Sequence, residues 1–265
     1  MRPNNTKRST QNHLKILYEN NHLIAVNKCP SDIVQGDKTS DIPLREFIKN
    51  YLLKEKYQRK REVFLGTRQQ LNWTRSSLIP FAQRSKTLER LNKILQTHQW
   101  EKIYWALVKN YLSKDKGTLI HYLVRNSQKK QSTSYDTEKS ESKKVVLDYE
   151  ILTILKYYYL PQIYLHTGQQ HQIKSQLSII DWPIKGEVKY GADRPNIDHN
   201  ICLHTQSLYL IHTIRKEPLK IIAPSPNETI WKFYEERLEK LINFHLSYQK
   251  ISFYGIYQNR INYYQ

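Results

Sequence analysis

Apolar positions along this chain fall into short runs, most of them with the two-residue period of strands and a few with the period of helices. Leu14–Lys28, LKILYENNHLIAVNK, reads as two short strands around a polar turn at Glu19–His22. Leu44, Phe47, Ile48, Tyr51 and Leu52 follow the spacing of one helical face, with Asp41 as the expected N-cap and Pro43 in the first turn. A second helix is predicted after Ser85, with Leu88, Leu91 and Leu95 inward, and a third over Gln170–Ile180, with Ile173, Leu177 and Ile180 on one face. Ile103–Lys109, Val145–Leu155, Tyr158–His166 and Ile201–Ile211 read as strands. Asn227 is placed to cap a long last helix carrying Ile230, Trp231, Tyr234, Leu238 and Leu241. Between two of the strands, Asn126–Lys144 is rich in Ser and Lys and reads as a mobile polar loop. Strands outnumber helices without alternating strictly with them. That pattern predicts an α+β fold with a mostly antiparallel mixed sheet flanked by helices and loops. Residues 1–13 read as a basic polar tail, 14–240 as one folded domain and 241–265 as a Tyr- and Asn-rich extension.

Composition narrows the function classes. The 265 residues include 42 Lys plus Arg against 24 Asp plus Glu, a formal net charge of +18. Two readings of that excess stand side by side: a polyanionic partner, most simply nucleic acid, or the Lys-, Asn-, Ile- and Tyr-heavy drift of an AT-rich genome. No apolar run approaches the ~18–20 residues of a membrane-spanning helix, so no membrane partner is expected. The start, MRPNNTKRSTQNH, lacks the apolar segment of a secretory signal. Cys29 and Cys202 cannot build a disulfide framework or a four-ligand zinc site, and a cytoplasmic setting is expected. His199, Cys202, His204 and His212 lie close in sequence, but their spacing matches no metal signature, so they read as ordinary strand residues and no metal is expected. The basic segment Lys129–Lys144 is read chiefly as solvated, with phosphate contact the rival role.

Several stretches, taken in order, resemble the RluA branch of the pseudouridine synthases. ILYENNHLIAVNKCP at Ile16–Pro30 looks like that family's opening strand pair. Leu65–Lys86, LGTRQQLNWTRSSLIPFAQRSK, follows the family form LG-x-x-HRLDR-x-TSG-x-x-x-FA-x-x-SK, with Leu65, Gly66, Leu71, Ser76, Phe81, Ala82, Ser85 and Lys86 keeping the frame. Lys102, Tyr104, Ala106 and Val108 match K-x-Y-x-A-x-V. LHTGQQHQIKSQL at Leu165–Leu177 and PIKGEVKYG at Pro183–Gly191 match L-x-TGR-x-HQIR-x-QL and PI-x-GD-x-x-YG. ICLHTQSLYLIHTIRKEP at Ile201–Pro218 is close to the closing strands. The resemblance implies the pseudouridine synthase catalytic fold and isomerisation of uridine in structured RNA, ribosomal or transfer, without a cofactor. Members of that family often carry an extra small N-terminal RNA-binding domain; with the first strand near residue 14, none is expected here, and a monomer is the simplest state.

The same resemblance locates a departure. The family's catalytic Asp, the D of HRLDR, corresponds to Asn72, and a neutral amide supplies neither a base nor an effective nucleophile. The Arg of TGR, which pairs with that Asp in active members, corresponds to Gln169. Losing the carboxylate while keeping its Arg would leave an uncompensated charge, costing about 3–5 kcal/mol if buried; exchanging both for amides avoids that, and Asn72 and Gln169 could bond to each other. No Asp or Glu lies between Glu62 and Glu89, or between Glu150 and Asp181, and Glu187 stands where the family commonly has Asp, a position that is not the nucleophile. An impaired, RNA-binding member is therefore expected, with an active enzyme using a rearranged site and a vestigial protein as alternatives. By the same resemblance Tyr104 packs on an extruded uracil, although a core strand aromatic would look the same. His171, Gln172 and Lys174 line an RNA groove or merely decorate a helix N-terminus. Trp73 stacks on RNA or fills the space left by lost side chains. Arg75, Lys185 and Lys189 complete the expected RNA-binding set.

Overall fold

Six consecutive buried residues, Leu23–Lys28, form β2, and seven more, Ser76–Ala82, form β3 beside it. Runs this uniformly buried belong to strands covered on both faces. In the computed structural model, residues 14–30, 32–34, 42–56, 63–67, 74–97, 99–110, 114–155 and 157–248 are described. The chain divides into two units, Met1–Pro226 and Asn227–Gln265.

In the first unit, ten strands make one sheet. With β1 at Ile16–Glu19, β4 at Trp100–Ala106, β5 at Lys116–Asn126, β6 at Gln131–Tyr135, β7 at Lys143–Leu155, β8 at Tyr158–Leu165 and β9 at Leu203–Ile211, the order is β1-β2-β3-β9-β4-β8-β7-β5-β6, and β10 (Pro218–Ile222) also pairs with β9. Every pairing is antiparallel except β3 with β9, which covers only Ser76↔His204 and Ser77↔Thr205. Side chains reinforce that short parallel ladder: Ser76 Oγ lies 2.8 Å from His204 Nδ1 and Ser77 Oγ 2.8 Å from Thr205 Oγ1.

Among the described residues, three α-helices complete this unit: α1 (Leu44–Tyr51), α2 (Ser85–Gln96) and α3 (Gln172–Ile179). Leu44 and Ile48 of α1 are fully buried against Ile24, Val26, Ile79 and Phe81. On the other half of the sheet, Ile173 and Leu177 of α3 pack with Tyr104, Ala106, Leu147, Ile163 and Trp182. The second unit holds α4 (Thr229–Tyr248), the long helix expected after Asn227. No helix among the described residues is long and apolar enough to cross a membrane. The expected N-cap Asp41 lies outside the described residues, and Pro43 occupies the cap position of α1.

The α+β architecture and the mostly antiparallel sheet match expectation. The supposed loop over Asn126–Lys144 does not. It contains the turn of a hairpin, then β6, which pairs with β5 from Tyr122↔Tyr135 to Asn126↔Gln131. The inward residues of β6 are Ser132 and Ser134, so the strand has no apolar alternation to reveal it. Their burial is satisfied by hydrogen bonds: Ser132 Oγ donates to the Gln170 carbonyl at 2.8 Å, and Ser134 Oγ meets Ser175 Oγ at 2.8 Å.

Candidate functional site

Four segments converge on one cationic site: the turn entering β3, strand β4, the start of α3, and the loop carrying a short helical turn at Val188–Tyr190. Arg75 occupies the first of these, half-buried. A fully buried lysine anchors that turn, as Lys28 donates to the Arg75 carbonyl at 2.7 Å and to the Cys29 carbonyl at 2.9 Å. Among the described residues the Arg75 guanidinium has no carboxylate partner.

Strand β4 supplies Lys102 and Tyr104, two residues apart. The Lys102 ammonium lies 4.9 Å from the Trp100 ring centroid, and burial together with Arg75 pushes its pKa down to about 7. Tyr104 is only 8% exposed and packs into the core with Ile163, Ile173 and Leu203. Burial pushes the phenol up, and the positive charge of Arg75 partly opposes that.

At the start of α3, His171 takes a left-handed backbone conformation, φ 58°, rare for a residue with a side chain. Its Nδ1 lies 3.0 Å from the Tyr190 hydroxyl, and the two rings meet edge to face with centroids 5.8 Å apart. Burial, Lys174 and Arg75 together hold the His171 pKa down to about 4. Gln172 is 1% exposed and works as a brace: its Oε1 accepts from the Gln169 N–H and the Thr167 hydroxyl, and its Nε2 donates to the Val146 carbonyl.

Lys174 is also buried. Its ammonium donates to Glu187 Oε2 at 2.5 Å, with side-chain exposures of 6% and 9%. Even with this partner, burial outweighs the carboxylate and holds the Lys174 pKa below its ordinary value. Gly186, immediately before Glu187, has φ 86°, and a Cβ there would come 2.5 Å from the Asn200 carbonyl oxygen, so only glycine fits this turn without strain.

The expected site residues therefore separate. Arg75, Tyr104, His171 and Lys174 are brought together, with the exposed Lys189 close enough for its charge to act on His171 and Lys174. Gln172 and Lys174 are internal and offer no groove surface, because their polar atoms are taken up by the Thr167–Gln169 turn and by Glu187. Lys185 is engaged elsewhere: its ammonium donates to Asn196 and lies 5.9 Å from the Tyr158 ring centroid. The Gln169 side chain is exposed and has no hydrogen-bond partner among the described residues. Asn72 and Trp73 lie outside the described residues.

Sequence reasoning passed over Lys102, Glu187, Tyr190 and Ser132 as site residues. Lys102 and Glu187 stood in the quoted motifs, so the motifs themselves held the signal; nothing local marked Ser132. Among the described residues no three His, Cys, Asp or Glu side chains are grouped to hold a metal. His204 is instead a core residue, held between Ser76 Oγ and the Ala223 carbonyl.

The sequence pattern of the RNA pseudouridylate synthase family matches residues 22–178. The chain belongs to the RNA pseudouridylate synthase family. Among the synthases, an uncharacterized RNA pseudouridine synthase of Chlorobaculum parvum is 28% identical over 236 residues, 81% of this chain and 72% of that protein. The tRNA pseudouridine synthase C of Haemophilus influenzae is 28% identical over 228 residues, 79% of this chain and 92% of that one. The human RNA Pseudouridylate Synthase Domain Containing 4 structure superposes with a TM-score of 0.68 at 19% identity, over 84% of this chain and 93% of that chain. At that identity the structural likeness establishes the synthase fold.

Proposed function

We propose that this synthase-fold protein binds structured RNA, transfer or ribosomal, and that its isomerase chemistry is impaired or lost. The observation carrying this is Asn72 in the place of the family's catalytic Asp, with Gln169 in the place of its Arg partner. The surroundings support it. Beside Arg75 and His171 stands the buried carboxylate of Glu187, and Lys174 already takes its charge. The positive charges of Arg75 and Lys189 suit a phosphate backbone better than a reaction that needs an anion at the sugar. Transfer RNA comes to mind first because several relatives are named tRNA pseudouridine synthase C.

Incubating purified protein with tRNA and rRNA transcripts tests both halves, by counting pseudouridine per protein molecule and by measuring affinity across a salt series. Salt-sensitive binding without pseudouridine is the expected result; turnover overturns the impairment, and weak sequence-indifferent binding points to a vestigial protein. One observation favours a second reading, an active enzyme with a rearranged site: Glu187 is a buried carboxylate within the constellation. If turnover appears and Glu187→Gln abolishes it without unfolding the protein, that second reading replaces the first.

A further inference from the structure

We infer that Tyr190 is a positioning residue that fixes the ring of His171 as a neutral hydrogen-bond donor, its Nε2–H offered to an oxygen of the bound RNA. The inference rests on the RNA-binding function proposed above and names one contact within it.

The hydrogen-bond directions follow from the donors available. The Tyr190 hydroxyl lies 2.9 Å from the Ser132 backbone N–H, which can only donate, so the hydroxyl oxygen accepts there. Its own proton is then free to go to His171 Nδ1, 3.0 Å away. With Nδ1 as acceptor, the neutral ring carries its proton on Nε2. That atom has no hydrogen-bond partner among the described residues, and the ring is half-exposed.

The backbone agrees with this assignment. A left-handed conformation at a histidine costs free energy and persists only where the surroundings over-determine it. Here they do. The His171 carbonyl accepts from the Ser175 N–H at 3.0 Å, Gln172 braces the preceding turn, and the Tyr190 ring stands at 90° to the imidazole. The anchor reaches into the β5–β6 hairpin, because Ser132 holds Tyr190 through its N–H and Gln170 through its hydroxyl, while Gln131 donates to the Lys189 carbonyl. The charged and titratable groups facing His171 are Lys174 on its own helix, Glu187, Lys189 and Tyr190 on the neighbouring loop, and Arg75 on the turn before β3. Three of the four charges are positive, so a second cation on the imidazole is opposed from three elements. A donor that stays neutral can contact an RNA oxygen without adding to that repulsion.

Nitrogen-15 NMR of the imidazole in the free, full-length chain decides the positioning. The expected result is a bare Nδ1, a protonated Nε2 and a titration midpoint near 4. In Tyr190→Phe, loss of the hydroxyl removes the bond that favours the neutral ring, and the midpoint should rise by about one unit at most, because burial, Lys174 and Arg75 still hold it down. An Nδ1-protonated ring, a midpoint near 6.5 in the unmodified chain, or no change in Tyr190→Phe would each overturn the proposal. The unmodified chain alone reads tautomer and midpoint, so the proposal stays open to refutation even if the variant folds poorly.

RNA binding supplies the second arm. His171→Ala should weaken affinity for a tRNA transcript about two- to tenfold, the size of one hydrogen bond. Relative to the unmodified chain, Tyr190→Phe should gain a pH dependence that begins about one unit higher, near pH 5; comparing the two profiles cancels the titration of Lys102. Superimposable profiles, or full affinity in His171→Ala, would remove His171 from the RNA contact. A chain that binds no RNA at all would overturn the proposed function, while the NMR result would still decide the role of Tyr190.

Discussion

Lys174 donates to Glu187 across 2.5 Å, and both side chains are nearly withdrawn from water. The bond ties the first turn of α3 to the loop that carries Lys189 and Tyr190. Each charge depends on the other for compensation. Glu187→Leu or Lys174→Met, by leaving one ion buried and unpaired, should therefore lower stability by about 3–5 kcal/mol. The double variant Lys174→Met/Glu187→Leu should lose much less than the sum. Urea unfolding of the four proteins measures this; strictly additive losses would mean that the two groups are energetically independent.

The same burial changes what salt dependence should report. RNA affinity should fall with salt by about 0.7–0.9 per phosphate contact on a log–log plot. Lys189→Ala removes an exposed cation and should flatten the slope by about one contact. Lys174→Arg keeps the internal ion pair and should leave the slope unchanged. A flatter slope in Lys174→Arg would show that Lys174 reaches the phosphates after all.

His204 makes stability pH-dependent. Its ring is fully buried and its pKa is held down to about 4, against an ordinary 6.5. Between those values the unfolded chain binds a proton that the folded chain does not, so stability rises with pH in this window. The contribution is complete above about pH 6.5 and is lost as pH falls toward 4. Over the full shift it amounts to roughly 3 kcal/mol. Denaturant midpoints at pH 7, 5.5 and 4.5 should decline accordingly, and His204→Gln should decline less steeply; parallel curves would exclude His204 as the source.

Asn72→Asp alone should form no pseudouridine on an RNA that an active relative modifies. By the resemblance, the added carboxylate lacks the Arg that position 169 supplies in active members, and a base without that partner is not held in the geometry the chemistry needs. Asn72→Asp/Gln169→Arg restores both halves of the pair, and turnover, if it returns, should appear first there. Because the Gln169 side chain is exposed and unengaged, Gln169→Arg alone should shift stability by no more than about 0.5 kcal/mol. Turnover by Asn72→Asp alone would show that residue 169 is no barrier.

The sequence alone determined most of the framework. Short apolar runs located β1, β2, β4, β7, β8 and β9, helical spacing located α1 to α4, and the ordered motifs pointed to the family. These signals are local: each element's apolar face is written in its own residues. The amide at Asn72, which the resemblance aligns with the family's Asp, was equally legible, because it needs only a residue type at a motif position. The tertiary structure alone decided which charges face water. Lys174, Lys185 and Lys189 are indistinguishable as sequence symbols, yet one is buried on Glu187, one is bonded to Asn196 and one is exposed. The strand β6 was hidden for a related reason: Ser132 and Ser134 are buried through hydrogen bonds to Gln170 and Ser175, some forty residues away. Burial of a polar group depends on where its partner arrives in space, and that partner is supplied by a distant part of the chain.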